Sequence, residues 1–291
     1  MAVDVGRVGV WCSSRSWPQD PGAAAEAAAE LEELGYQAIW LGISPGTLEQ
    51  PEALLAATSR LAVATGIASV WDSQPGAVAA AYHRVCDASP GRFLLGLGAS
   101  HAHVVERGGG TYERPYRKVA EFLDGLDTAT LPVPAGGRAL AALGPRMLAL
   151  AGRRTAGAHP YLVTPEHAQR AREILGDGPL LAPEQKAVVT TDPDAARALG
   201  RPAVDRPYLH LRNYTSNLKR LGWTDADLAD GGSDPLIDEL VVHGDAATVA
   251  RGVTAHLDAG ADHVCLQLLT APDADPRPDL EALADALRLP D

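Results

Sequence analysis

Two histidines one residue apart, His101 and His103, follow directly on the apolar run "FLLGLGAS" (93–100). Imidazole titrates near pH ~6.5, so a histidine at the end of a buried strand can pass a proton to a bound molecule, or take one, at neutral pH. On an extended segment both rings would face one ligand. The strand that delivers them lacks side chains at alternate positions, Gly96 and Gly98, which leaves one face of its pleat bare. A bare face at a strand end leaves room for a flat molecule. His101 is therefore the candidate for proton transfer. His159, before Pro160, is placed to line the same region, whereas His167 and His256 fall on helices and are expected at the surface. No carboxylate or thiol is spaced to complete a metal site with the two neighbouring histidines.

A second cluster is basic. Between positions 138 and 154 stand Arg138, Arg146, Arg153 and Arg154 with no acidic residue, in a chain of formal charge −12. Gly144-Pro145 opens a helix inside that segment. Glycine at a helix start lets backbone N–H groups approach an anion, and the helix dipole favours negative charge there. Residues 101–118 add Arg107, Arg114, Arg117 and Lys118 against Glu106 and Glu113. A phosphate-bearing ligand fits two adjacent basic loops. The alternative is that these arginines pair with surface carboxylates.

The elements that must hold these residues come as a regular beat. Strand-like runs at 7–13, 37–43, 63–71, 92–100, 138–144, 157–164, 180–190 and 262–269 are each followed by a helical pattern. Asp20, Pro21 and Gly35 bracket the first helix as N-cap, first-turn proline and stop. Each run is too apolar for a half-exposed strand. Eight strand–helix pairs predict an α/β fold, a (β/α)8 TIM barrel. An open doubly wound sheet gives the same alternation, but the count and even spacing favour the barrel. Residues 201–242 break the beat and read as a helical insertion between the seventh and eighth strands, before a helix over 245–260. With no linker or low-complexity tract, 1–291 reads as one domain.

In a barrel, chemistry belongs at the carboxyl ends of the strands. That places Trp11, Ser69, Val70, Trp71, Ser100, His101, Gly144, His159, Tyr161 and Gln267 around one mouth. Bulk composition narrows the partners. The charge of −12 argues against nucleic acid or an anionic membrane as partner. Cys12, Cys86 and Cys265 are few, scattered and odd in number, as expected of a reduced, cytoplasmic chain. No apolar stretch reaches the ~18 residues of a membrane helix, and no signal peptide is apparent. "GLGAS" lacks the third glycine and the distal acid of a dinucleotide fingerprint.

The set "PGRFLLGLGASH", "AALGPRMLALAGRR", "AGAHPYLVTPEH" and "LLAPEQ", in that order, resembles the luciferase-like monooxygenase superfamily. More narrowly it resembles the coenzyme F420-dependent oxidoreductases. The resemblance runs from about residue 7 to 289 and implies a homodimeric barrel with the deazaflavin at the strand carboxyl ends. It also implies a non-prolyl cis peptide in strand three, at Ser69-Val70, behind the cofactor's central ring. Cofactor contacts implied by the matching motifs are Ser69, Val70, Gly98, Ala99, Ser100, Ala142, Gly144, Pro145, His159 and Tyr161. The expected activity is hydride transfer between F420 and a small organic substrate, with His101 moving the proton. An FMN-dependent monooxygenase on the same scaffold, and a catalytically idle flavin-binding barrel, are the alternatives. The loop "SSRSWPQDP" and the 201–242 insertion match no substrate pattern.

Overall fold

The structure, a computed structural model, describes residues 3–290. Its strands are β1 (Val8–Ser13), β2 (Ala38–Gly42), β3 (Ala62–Thr65), β4 (Ala68–Ser69), β5 (Phe93–Gly98), β6 (Arg138–Leu140), β7 (Gly157–Ala158), β8 (Leu180–Leu181), β9 (Glu184–Val189), β10 (Val241–Gly244) and β11 (Val264–Leu268). All pairings are parallel, in the order β10-β9-β11-β1-β2-β3-β5-β6-β7-β8, with β4 also on β5. Strand β8 pairs with β7, and β9 pairs with β11. The two lie on one run of chain, bent at Ala182-Pro183, so that run bonds to neighbours on both sides and closes the sheet into a barrel.

Proline marks the start of the helices that return the chain. Pro21, Pro75, Pro115, Pro145, Pro165 and Pro193 each stand in the first turn of a helix, where a missing N–H costs nothing. Asp20, Thr164 and Asp245 cap their helices by accepting from Ala23, His167 and Thr248 backbone N–H groups. Along β2 the side chains alternate between two cores. Ile39 and Leu41 join the large cluster between sheet and helices, while Ala38 and Trp40 point into the lumen. The lumen accommodates Trp40 because five of its cluster neighbours are small, Ala38, Ala62, Ala64, Ala139 and Ala182, beside the larger Trp11 and Leu94.

The insertion differs from the sequence expectation at its far end. Helices Arg212–Arg220, Asp225–Leu228 and Asp234–Leu240 form as a helical excursion, but residues 241–244 are a strand, β10, in register with β9 from Val241↔Lys186 to Gly244↔Val189. It is only four residues long, Val241 to Gly244, and follows the helix Asp234–Leu240 with no turn residue between them, which concealed it. The insertion has its own core of Leu209, Tyr214, Leu218, Leu236, Ile237 and Leu240, shared with Leu162 and Val188 from the barrel.

Candidate functional site

The carboxyl ends of the strands gather most of the residues marked from sequence. Here the backbone repeatedly enters the left-handed region. Ile43, Ser100 and Leu162, just beyond β2, β5 and β7, have φ of 58°, 54° and 55°. For β-branched Ile43 this is an outlying conformation, and its side chain is 55% exposed.

The paired glycines of β5 have a different reason from the one the sequence suggested. A Cβ on Gly96 would stand 1.8 Å from the Thr65 carbonyl oxygen, and one on Gly98 would meet Ile67 at 2.9 Å and Ala141 at 3.1 Å. Both glycines admit strand three and its neighbours, so the bare face is filled by protein. The cis peptide of strand three is at Gly66-Ile67, ahead of the expected Ser69-Val70. Ser69 pairs with Gly98, and Val70 donates its N–H to the Gly98 carbonyl at 3.0 Å with its side chain buried in the main core.

His101 caps the short helix Ala102–Arg107, which carries His103, so the segment is not extended. The two rings nevertheless stack, centroids 5.8 Å apart and planes 4° from parallel. Burial, helped by the nearby His103, lowers the His101 pKa to about 4. The imidazole is neutral at physiological pH and has an acceptor nitrogen, but a pKa this far below neutrality makes it a weaker base than an ordinary histidine. Tyr214 and Tyr208, from the insertion, close on it at 5.9 Å and 6.2 Å.

His159 lies deeper. It stacks on Trp40 at 4.4 Å, and its Nδ1 stands 2.7 Å from the Ala182 carbonyl. A carbonyl accepts only, so Nδ1 carries the proton and Nε2 presents a lone pair. That Nε2 and Trp11 Nε1 are both buried without a partner among the described residues. They converge on Gly66, lying 3.1 Å and 2.9 Å from the point where a Cβ would stand. Burial lowers the His159 pKa to about 4, against the Ala182 bond. Tyr161 tilts against Trp11 at 5.0 Å. The expectation that His167 and His256 are surface residues fails: they are 3% and 0% exposed, bonded to the Leu143 carbonyl and the Gln185 side chain. Both helices press those faces on the barrel.

An ion pair that the sequence reading missed lies beneath Tyr161. Glu184 and Lys186, 0% and 1% exposed, are bonded Oε1 to Nζ at 3.0 Å. Burial lowers the Lys186 pKa, and Glu184 opposes the shift. Their sequence signal was opposite charges two apart in an apolar strand, which places both on one face of the pleat. Tyr208, Tyr214 and Arg220 were missed because nothing local ties the insertion to the mouth.

The basic segment divides. Arg138 and Arg154 are not at the mouth: they bind Asp127, and Arg154 also binds Asp124, at the opposite end of the barrel. Arg117 pairs with Glu121. Arg146 stays near the mouth, its guanidinium 4.6 Å from the Tyr116 ring centroid. Gly144 caps the helix Pro145–Arg154 with φ −87° and ψ 157°, which any residue can adopt. A Cβ there would meet only Arg220 Nη2, at 3.8 Å. Neither conformation nor packing requires glycine at 144. The opening is bounded by the Arg146 backbone N–H and the Arg220 guanidinium, since Pro145 has no N–H and the Met147 N–H bonds the Gly144 carbonyl at 3.0 Å; the positive helix end beside a guanidinium suits a phosphate. Ala142 is buried beside it.

Residues 4–263 match the family model described as luciferase-like monooxygenase. The chain belongs to this family. No curated protein matches it in sequence. Among solved structures, an F420-dependent secondary alcohol dehydrogenase in complex with an F420–acetone adduct is 18% identical, with TM-score 0.70 over 97% of this chain and 99% of that one. The coenzyme F420-dependent tetrahydromethanopterin reductase from Methanopyrus kandleri is 16% identical, with TM-score 0.71 over 98% of each chain. The oxygenating constituent of 3,6-diketocamphane monooxygenase from Pseudomonas putida, in complex with FMN, is 15% identical, with TM-score 0.67 over 98% of this chain and 97% of that one. These likenesses are of fold. Surface cavities of about 350 and 320 Å³ lie elsewhere, one beside Tyr36 and Arg92 at the opposite end and one against Arg197 and Arg201.

Proposed function

We propose that this luciferase-like protein is a coenzyme F420-dependent oxidoreductase acting on a small organic substrate. The observation that carries the reading is Gly144, a helix cap with no folding reason to lack a side chain, beside Arg220 in a chain of charge −12. The choice of F420 is supported by the motif resemblance around residues 90–185 and by the two F420-dependent neighbours.

When bound, the deazaflavin supplies or accepts two electrons as a hydride. The chain's residues do the remainder. Gly144, Pro145 and Ala142 receive the phosphate, with Arg220 offsetting its charge. Ala99 and Ser100 hold the polar tail just past the end of β5, and Ser69, His159 and Tyr161 wall the ring, while Gly98 and Val70, whose faces are filled by Ile67, Ala141 and the main core, support them from behind. His101, a neutral imidazole, accepts a hydrogen bond from a substrate hydroxyl and is the candidate to take its proton when the substrate is oxidised, once a bound substrate raises its lowered pKa. Tyr208 and Tyr214 cover the mouth and keep bulk water from the reacting centre.

Titration of the purified protein with F420 and, separately, with FMN tests this. F420 is expected to bind at about micromolar or tighter concentration and FMN more weakly. Tight FMN binding with no F420 signal would instead support the FMN-dependent monooxygenase, the reading favoured by the FMN-bound neighbour.

A further inference from the structure

Strand β9 turns its side chains alternately to the two sides of the barrel wall. Gln185 and Ala187 face outward, Gln185 to His256 and Ala187 into the core between sheet and helices. Glu184 and Lys186 face the lumen, beside the apolar cluster of Trp11, Trp40, Leu94 and Cys265. Their register partners on β11 are Cys265 and Gln267. An ion pair 0% and 1% exposed in such surroundings needs a reason.

Its bonds supply one. Lys186 Nζ stands 3.0 Å from Glu184 Oε1, 3.1 Å from Gln267 Oε1 and 3.9 Å from the Tyr161 ring centroid. The Tyr161 hydroxyl donates to the same Gln267 oxygen at 2.8 Å. An ammonium only donates, so Lys186 decides which end of the Gln267 amide faces it. With the oxygen held there, the single phenol proton is committed and the ring has one orientation. Glu184 Oε2 accepts the N–H of Leu162, the next residue in the chain, at 2.9 Å where the backbone is left-handed. The pair therefore grips the side chain of Tyr161 and the backbone that follows it.

As a means of holding a barrel together such a pair is poor. Taking both charges out of water offsets most of their attraction, and well-packed apolar residues do as well or better. The sheet is already bonded here, β9 to β10 on one side and to β11 on the other. What a fully bonded pair adds is rigidity in the groups around it. Tyr161 carries that rigidity to the mouth, tilted against Trp11 at 5.0 Å and Tyr208 at 5.2 Å.

We propose, resting on the F420 reading for what lies against Tyr161, that Glu184 and Lys186 are positioning residues, kept to hold that ring in one orientation and not to stabilise the fold. They touch no ligand. Lys186 acts through the Gln267 amide and the face of the phenol, and Glu184 through Lys186 and the Leu162 N–H. A wall held this way is set before the ligand arrives, so binding does not have to order it.

The test uses the full-length protein and the double variant Glu184→Gln/Lys186→Met, which removes both charges together and keeps an acceptor for Leu162. Its denaturant midpoint should stay close to that of wild type. In protein carrying tyrosine labelled with 13C at Cζ, the Tyr161 signal, assigned with Tyr161→Phe, should be single and sharp in wild type. In the double variant it should broaden or split. Affinity for F420 should fall at least about tenfold. In a Tyr161→Ala background the same replacement should change affinity by less than about threefold, since the pair acts through that ring. A double variant that fails to fold, or loses as much stability as deletion of the Trp40 ring does, would make the pair a structural seam and overturn the proposal. So would a Tyr161 signal already broad in wild type, or one unchanged in the folded double variant. If wild type does not bind F420, the cofactor reading fails, and the tyrosine signal and the midpoint still decide whether the pair positions the ring.

Discussion

The two ends of the barrel are built to different rules. At the amino ends of the strands, charges meet partners: Arg138 and Arg154 with Asp127, Arg172 with Asp262, and Arg92 with the Leu55 and Leu61 carbonyls. His263 joins them, placed between the Gly6 carbonyl and the Trp40 indole. At the carboxyl ends the backbone is left-handed at Ile43, Ser100 and Leu162. Of the seven buried polar side-chain atoms without a partner among the described residues, five lie towards this end, on Trp11, Trp17, His159, His167 and Asn217. Buried polar groups are ordinarily bonded, and strained backbone persists only where the surroundings enforce it. One end is therefore organised for stability, and the other holds unmet hydrogen-bonding capacity.

If that division is right, a lumen substitution below the mouth should act on folding above all. Trp40→Ala removes a fully buried ring stacked on His159 and should cost about 4 kcal/mol, the range for deleting a buried aromatic. Denaturant unfolding would measure it. A loss under 1 kcal/mol would mean the lumen is loosely packed and the division is overdrawn.

Acid should act through the same buried groups. His159, His256 and His263 have pKa values lowered to about 4, in each case mainly by burial. Their unfolded values are near ~6.5, so below that pH the unfolded state binds protons that the folded state refuses. The stability they confer is complete above pH ~6.5 and is lost as pH falls towards 4, by roughly 1 kcal/mol per histidine at pH ~5.5. Unfolding midpoints at pH 7.5 and 5.5 would show it; a flat profile would place these rings in water.

The mouth should respond in the opposite way. Gly144→Asp introduces a residue favoured at a helix N-cap, so stability should hold or rise by a few tenths of a kcal/mol. Affinity for F420 should nevertheless drop at least about tenfold, through like charge and lost close approach. Arg146→Ala, which frees only a stacked guanidinium, should change affinity by less than about threefold. Similar losses in both variants would mean that side chains, and not the helix start, hold the anion.

The beat of strands and helices was legible because apolar runs and first-turn prolines are local signals. Closure through a single bent run at Ala182-Pro183 was not, since it depends on which neighbours that run finds. The same limit explains the site. His101, His159, Tyr161 and Gly144 could be placed at one mouth by counting strands. The role of Gly98 could not, because Ile67 and Ala141 fill its missing side chain from other strands. Arg138 and Arg154 read as mouth residues because their partners, Asp124 and Asp127, belong to the preceding helix. The guanidinium beside Gly144 came instead from Arg220, in an insertion whose sequence carries no sign of where it docks.

The central claim is that Gly144 marks the phosphate end of an F420 site, and an optical titration of F420 into wild type and Gly144→Asp tests it most directly. Wild type should show saturable binding at about micromolar concentration or below, weakened by added salt, and the variant at least about a tenfold loss while melting no lower. Equal F420 affinity in the two proteins would contradict it.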